Sequence, residues 1–239
     1  MISAVPTYER RTSHPGRNTL VKIMLGMLAR SDRTQEPLIE RILSVIGPCF
    51  DDIAIVEDEG RRITDYGAQR NRLVEIGERK GFDWMMQLDS DECMFPADIE
   101  TVKSLCIPGN RLVVLPRYEF VKDFDHYDPT GYPDYQGRVF RLRVGYRFGR
   151  RVHEGLYRRF SPLSEMRLRR GVFSDSTPIY HYGRVKTPAE LLLKFLNYDL
   201  IAAGESPVDE LPADINPDDG IERWGAVTPF ERPHPLGKL

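Results

Sequence analysis

Two aspartates one residue apart, Asp89 and Asp91, close the apolar run Trp84 to Leu88 in the segment MMQLDSDE. In an extended segment such a pair points to one side, so both carboxylates can reach one cation. Carboxylates bind Mg²⁺ or Mn²⁺, and such a cation bridges diphosphate oxygens and stabilises a departing phosphate. An apolar strand ending in these residues places them at the rim of an open α/β sheet, where ligands bind in such folds. Asp-rich turns after strands are common as well, and the pair alone does not separate the two readings. Other residues invite the same double reading. Glu57 and Asp58 end a second apolar run, DIAIVED. Arg70 and Asn71 can meet a ligand or simply cap and pair on a helix. His153-Glu154 can be catalytic or a surface pair, and His181, between two tyrosines, a metal ligand or a satisfied core histidine. Phe124, Tyr127, Tyr132 and Tyr135 can pack a loop, or offer aromatic faces to a sugar or base.

These residues need elements to position them. Leu20 to Leu28 fits a buried strand or a short helix. Thr34 can cap a helix with Pro37 in its first turn, and Leu38 to Ile46 then show a helical face that stops at Gly47-Pro48. Asp52 to Asp58 reads as a strand, offset from the first by the ~30 residues a βαβ crossover requires. Residues 68–80 form a helix before Gly81, Trp84 to Leu88 a third strand, Pro96 to Leu105 a helix and Arg111 to Val121 another strand. The alternation argues for an α/β domain with a largely parallel sheet flanked by helices. Beyond it, Lys122 to Gln136 is an aromatic, Asp-, Gly- and Pro-rich loop, and Gly137 to Phe148 alternates as one half-exposed strand. Thr187 to Glu190 is a capping box that opens a helix ending at Gly204. The last 35 residues carry six prolines and no clear period, and read as an extended arm or disordered tail.

At 239 residues and 41% hydrophobic content the chain has area for a real core, which excludes a collagenous or wholly disordered protein. Val21 to Ala29 is far shorter than the ~20 residues a membrane span needs. No leader-like segment opens the chain, and three cysteines, Cys49, Cys93 and Cys106, suit a reducing compartment, so the expectation is cytoplasmic. The formal charge of −2 conceals an asymmetry. Arg138 to Arg170 holds eleven Arg against two acids, whereas Glu205 to the end holds eight acids against three bases. Arginine suits bidentate oxyanion contacts, so the middle segment reads either as a solvated face or as a site for an anionic ligand.

The ordered set of segments resembles the family 2 glycosyltransferases of the GT-A fold, in the branch whose strand ends in LDxDE. Residues 21–58 are similar to that family's first strand, helix and second strand with a terminal acid. AQRN (68–71) followed by FDWMMQLDSDE is similar to its arginine–asparagine helix and metal strand. RVFRLRVGYRFGRRVHE (138–154) and IYHYG (179–183) resemble its arginine–phenylalanine segment and the His-containing strand after it. The resemblance covers roughly residues 20–204. It implies a 1–19 extension, a GT-A-like domain at 20–204 with a donor half (20–121) and an acceptor half (122–204), and a tail at 205–239.

The resemblance also implies roles. Asp89 and Asp91 would hold a divalent cation (Mn or Mg) and the donor diphosphate, with Glu92 bonding nearby and His181 as third ligand. Glu57 and Asp58 would meet the nucleoside, and Arg70 and Asn71 the donor or the aspartates. Glu154 would be the general base of an inverting transfer. His153, Arg151, Tyr132 and Tyr135 would lie toward a hydroxyl acceptor, which the Arg-rich segment allows to be anionic: a glycan, a lipid-linked carrier or modified nucleic acid. One departure stands out. Only about ten residues, Glu59 to Ala68, separate the second strand from the arginine–asparagine helix, and Glu57 to Gly60 replaces the family's Asp-Gly-Ser loop. Two other readings share some of these features. A nucleotidyltransferase acting on a sugar phosphate would want a Gly-rich, Arg/Lys-bearing loop after the first strand, which is missing here. A non-enzymatic polyanion or nucleic-acid module would use Arg138 to Arg170.

Overall fold

The computed structural model describes residues 21–29, 36–57, 65–151, 155–158, 161–162 and 171–237. IMLGMLA forms β1 (Ile23–Ala29), buried along its whole length, as expected of a central strand covered on both faces. α1 (Glu36–Ile46) carries the chain to β2 (Asp52–Glu57), which pairs parallel with β1. α2 (Tyr66–Lys80) then leads to β3 (Trp84–Asp89), parallel to β1 on its other flank. Ile42 and Ile46 of α1 enter one core, and Leu73 and Val74 of α2 enter a second. Asp65 caps α2 by accepting the Ala68 N–H, and Gly81, at φ 79°, ends it.

After β3 come β4 (Glu92–Cys93), α3 (Pro96–Ser104), β5 (Leu112–Val121), β6 (His126–Tyr127), β7 (Asp134–Arg141) and β8 (Tyr146–Gly149). β9 (Gly155–Arg158), β10 (Ser161–Pro162), β11 (Val172–Phe173), β12 (Ile179–Arg184), α4 (Pro188–Ala203) and β13 (Thr228–Pro229) complete the order. The main sheet runs β13-β6-β5-β7-β3-β1-β2, with β11 and β12 against β5 and β4 against β12. β8, β9 and β10 form a small separate sheet.

Three expectations are corrected. The α/β sheet flanked by helices is as expected and is parallel across β2, β1 and β3, but β7 lies antiparallel between β3 and β5, so the sheet as a whole is mixed. The chain from β5 to β7 contains no crossover helix, and without one the returning strand runs antiparallel. It follows that strands from both halves, 20–121 and 122–204, lie in the main sheet, with β8 to β10 apart from it. Second, Gly137 to Phe148 is two strands, not one. Arg143 (φ 60°) and Gly145 (φ 86°) turn the chain between β7 and β8.

Third, residues 205–237 are folded against the domain. Pro217–Trp224 forms a 3₁₀ segment capped by Asn216, and β13 pairs with β6. A Cβ on Gly220 would lie 2.0 Å from the Pro188 carbonyl oxygen, so this segment sits hard against the start of α4. Phe230 and Leu236 join the core that α1 and α3 cover. Aromatic side chains anchor this stretch one at a time, which leaves no period to read.

Candidate active site

Asp89 stands where the sheet changes direction. From β1 the chain crosses to β2 on one flank, and β3 lies on the other. The register aligns Leu28 with Asp89 and Ala29 with Glu57, so the C-terminal ends of these three strands form one rim. In such sheets that crevice is where ligands bind. Within β3, Gln87 and Asp89 alternate with the core residues Met86 and Leu88. α2 brings Arg70 over this rim, where it grips Asp89 bidentately at 2.8 and 3.1 Å.

Arg138 reaches the same carboxylate at 3.4 Å, Glu92 at 2.6 Å and Gln87 Oε1 at 2.5 Å. Its aim comes from a bulge. Val113 pairs with Val139 but Val114 with Gly137, leaving Arg138 as the extra residue that turns inward. Glu92 is fully buried, accepts the Asp89 N–H at 3.0 Å, and stands 3.4 Å from Arg117. Arg117 is bound in turn to Asp134 at 2.6 and 2.9 Å. Burial by itself would raise the Asp89 carboxyl. The Arg70 and Arg138 guanidiniums outweigh it and hold Asp89 ionised, well below the usual carboxylate range.

Asp91 belongs to a different neighbourhood. The segment after β3 is not extended: it turns at Ser90-Asp91, with Ser90 N–H donating to the Leu28 carbonyl at 3.2 Å. β4 then pairs antiparallel with β12, and Tyr182 N–H donates to the Asp91 carbonyl at 2.8 Å. This places Asp91 Oδ1 3.4 Å from His181 Nε2, while His181 Nδ1 lies 2.7 Å from Glu119 Oε2. Burial disfavours the imidazolium, but Glu119 and Asp91 prevail and raise the His181 pKa to about 9. Asp91 is held well below the carboxylate range against its own burial, chiefly by His181, with Lys194 and Lys186 adding positive potential. Gly183 makes room for this arrangement. A Cβ there would meet His181 Nε2 at 2.4 Å and Lys194 Nζ at 2.8 Å.

The remaining sequence candidates lie in separate places. Asp58, His153 and Glu154 lie outside the described residues. Glu57 is exposed at the end of β2, on the same rim as Asp89. Asn71, next to Arg70, faces β8: its amide donates to the Phe148 carbonyl and accepts the Phe148 N–H, both at 2.8 Å. Arg151 is exposed, and its carbonyl accepts the Tyr66 N–H at 2.8 Å. Tyr132 stacks on Tyr118 with ring centroids 4.1 Å apart. Tyr135 donates to Asp175 at 2.9 Å and meets Phe173 edge-on.

Several arginines of the basic segment are engaged within the chain. Arg141 donates to the Pro108 carbonyl, Arg143 to that of Phe82, and Arg147 to Glu78. Sequence reasoning missed Arg117, Glu119, Gly183 and the inward role of Arg138. A signal for three of them was present, since RYEF on β5 and YHYG on β12 both alternate polar or small residues with core aromatics.

Among the described residues no group of three or more His, Cys, Asp or Glu is placed to hold a metal. Two donors nevertheless converge, Asp91 Oδ1 and His181 Nε2. One carboxylate and one imidazole suit Mn²⁺, whose other positions can be filled by phosphate oxygens and water. The residues therefore fit a cation completed by its ligand better than a closed protein cage.

Neither a family model nor a curated protein matches the chain. Among solved structures, the crystal structure of A197 from STIV is similar over 68% of this chain and 86% of that one, at 13% identity and a TM-score of 0.37. No helix among the described residues is long and apolar enough to cross a membrane.

Proposed function

We propose that this protein is a divalent-cation-dependent glycosyltransferase of GT-A-like fold, moving a sugar from a nucleoside-diphosphate donor to a hydroxyl acceptor with inversion. One observation carries the reading. At the switch point of an α/β sheet, a buried strand ends in Asp89, and the turn after it sets Asp91 Oδ1 3.4 Å from His181 Nε2. Asp91 and His181 would hold the cation, which when bound offsets the charge growing on the leaving diphosphate. Arg70 and Arg138 keep Asp89 ionised and fixed at the rim. Glu57, at the end of β2, and Asp58, the next residue in the sequence, take the nucleoside. Glu154 removes the proton from the acceptor hydroxyl as its oxygen bonds to the anomeric carbon and the carbon–oxygen bond to the diphosphate breaks.

The experiment is a screen of nucleoside-diphosphate sugars with and without Mn²⁺, read as release of free nucleoside diphosphate. Cation-dependent release is expected. Asp91→Asn should lose cation-dependent donor binding, and Glu154→Gln should keep binding but transfer roughly a hundredfold more slowly. Pyrophosphate release from a nucleoside triphosphate and a sugar phosphate would replace this reading with nucleotidyl transfer. Full activity in Glu154→Gln would remove that residue from the mechanism.

A further inference from the structure

We propose that Glu119 is the positioning residue of the cation site: it accepts the Nδ1–H of His181 and holds that proton, so that Nε2, whose proton faces Asp91 in the metal-free protein, is the nitrogen that gives its proton up and takes the cation. This role presupposes the cation-dependent transfer proposed above. Glu119 lies on β5 and His181 on β12, and the parallel register pairs these two residues directly. The backbone ladder thus sets their separation, and the side chains meet at 2.7 Å. The two ring nitrogens point away from each other, so a carboxylate on Nδ1 occupies the side opposite Asp91. Glu119 is consequently placed behind the ring and orients it from there.

The orientation has two further supports. Arg117 Nη2 stands 3.6 Å from Glu119 Oε2, and Arg117 is itself tied to Asp134, so the carboxylate is braced. Gly183, two residues after His181 on the same strand, leaves open the volume that the Nε2 edge of the ring fills. A ligating histidine commonly donates its second N–H to a carboxylate, which fixes the tautomer and raises the basicity of the ligating nitrogen. The Asp91–His181–Glu119 row has that form, with the acid on β5 as its outer member.

The test is calorimetric Mn²⁺ titration of the full chain, alongside imidazole ¹⁵N spectra of the protein loaded with diamagnetic Zn²⁺. Glu119→Ala should weaken Mn²⁺ binding by about 10–100-fold. Glu119→Gln, which still offers an oxygen to Nδ1, should recover most of that loss, a rescue that a merely structural role would not give. In the Zn²⁺-loaded wild type, His181 should carry its proton on Nδ1, and in Glu119→Ala the preference should disappear. If Glu119→Ala binds Mn²⁺ as the wild type does while Asp91→Asn does not bind, the positioning role is overturned and the cation site stands. If Asp91→Asn and His181→Ala leave Mn²⁺ binding unchanged, the cation site is overturned too. Should Glu119→Ala fail to fold, Glu119→Gln decides: an Nε2–H tautomer of His181 in that variant overturns the role.

Discussion

Asp89 and Asp91 are separated by one serine, yet they face different kinds of cation. Asp89 is gripped by Arg70 and approached by Arg138, two cations that keep their protons at any working pH. Asp91 faces His181, a cation that can give its proton up. The first carboxylate is therefore a fixed anion that ties α2, β3 and β7 together at the rim. The second has a partner that a metal ion can replace. A pair that looks symmetrical in sequence is divided into an anchor and an exchangeable site, and the turn at Ser90-Asp91 makes the division.

The strongest way to break this contrast is to neutralise each acid in turn. Asp89→Asn takes the carboxylate away from the buried Arg70 guanidinium, while Arg138 keeps Glu92, and should destabilise the fold by about 3 kcal/mol in urea melts. Asp91→Asn should cost far less stability, because His181 can lose its proton and relieve the unpaired charge. It should nevertheless abolish cation-dependent transfer. Equal losses of stability in the two variants would mean that the anchor and exchange roles are not separate.

Arg138→Lys tests the anchor side alone. A lysine keeps the charge but cannot span Gln87, Asp89 and Glu92 at once, so a loss of about 2–3 kcal/mol is expected. Mn²⁺ affinity should move little. A collapse of Mn²⁺ binding in Arg138→Lys would show that the two sides are coupled. Gly183→Ala is the matching change on the other side. Its Cβ would press on the His181 ring and should cost about 1–3 kcal/mol as overpacking. Here Mn²⁺ binding should weaken while the Arg70–Asp89 contact persists, which a crystal structure of the variant would check.

How much of this was legible follows the same division. β3 with its terminal acids, α2 with Arg70 and Asn71, and the capping box of α4 all announce themselves through period, spacing or end signals. Their positions follow from local chemistry. The inward aim of Arg138 does not, because a bulge is a mismatch between two strands and leaves no mark on either one. The separation of Asp91 from Asp89 was also hidden, since it depends on where β4 finds its partner on β12. The folded C-terminal stretch escaped for a third reason: Phe230, His234 and Leu236 are anchored singly among aromatics from β5 and β12. The count of charges also does not show that, of the basic segment, Arg141, Arg143 and Arg147 bind carbonyls and an acid of their own chain.

Two histidines carry the contrast between exchangeable and fixed groups into a pH dependence, the smallest effect expected. His181 sits between carboxylates, and its pKa rises to about 9. His234 sits among Phe120, Tyr180 and Tyr182, accepts the Leu236 N–H at 3.3 Å, and stands 3.5 Å from the Tyr182 hydroxyl. Burial lowers its pKa to about 4, with Asp125 opposing and Arg41 assisting.

The signs are opposite. The contribution of His181 is complete below its unfolded pKa near 6.5 and is lost as pH rises through about 9. That of His234 is complete above about 6.5 and is lost as pH falls toward 4, because the unfolded chain takes up the proton that the aromatic pocket refuses. Asp89 and Asp91, held low in the folded chain, add to the acid fall from about pH 5 downward, where their unfolded carboxylates begin to take up protons, so the His234 share is read between about pH 6.5 and 5. The metal-free protein should therefore lose several degrees of Tm on each side of a maximum near pH 6.5. His181→Gln should flatten the alkaline fall and His234→Gln the acid one, each leaving the other intact. An acid fall that survives unchanged in His234→Gln would mean that the pocket does not hold this histidine neutral, and His181 would then have no fixed counterpart in the C-terminal segment.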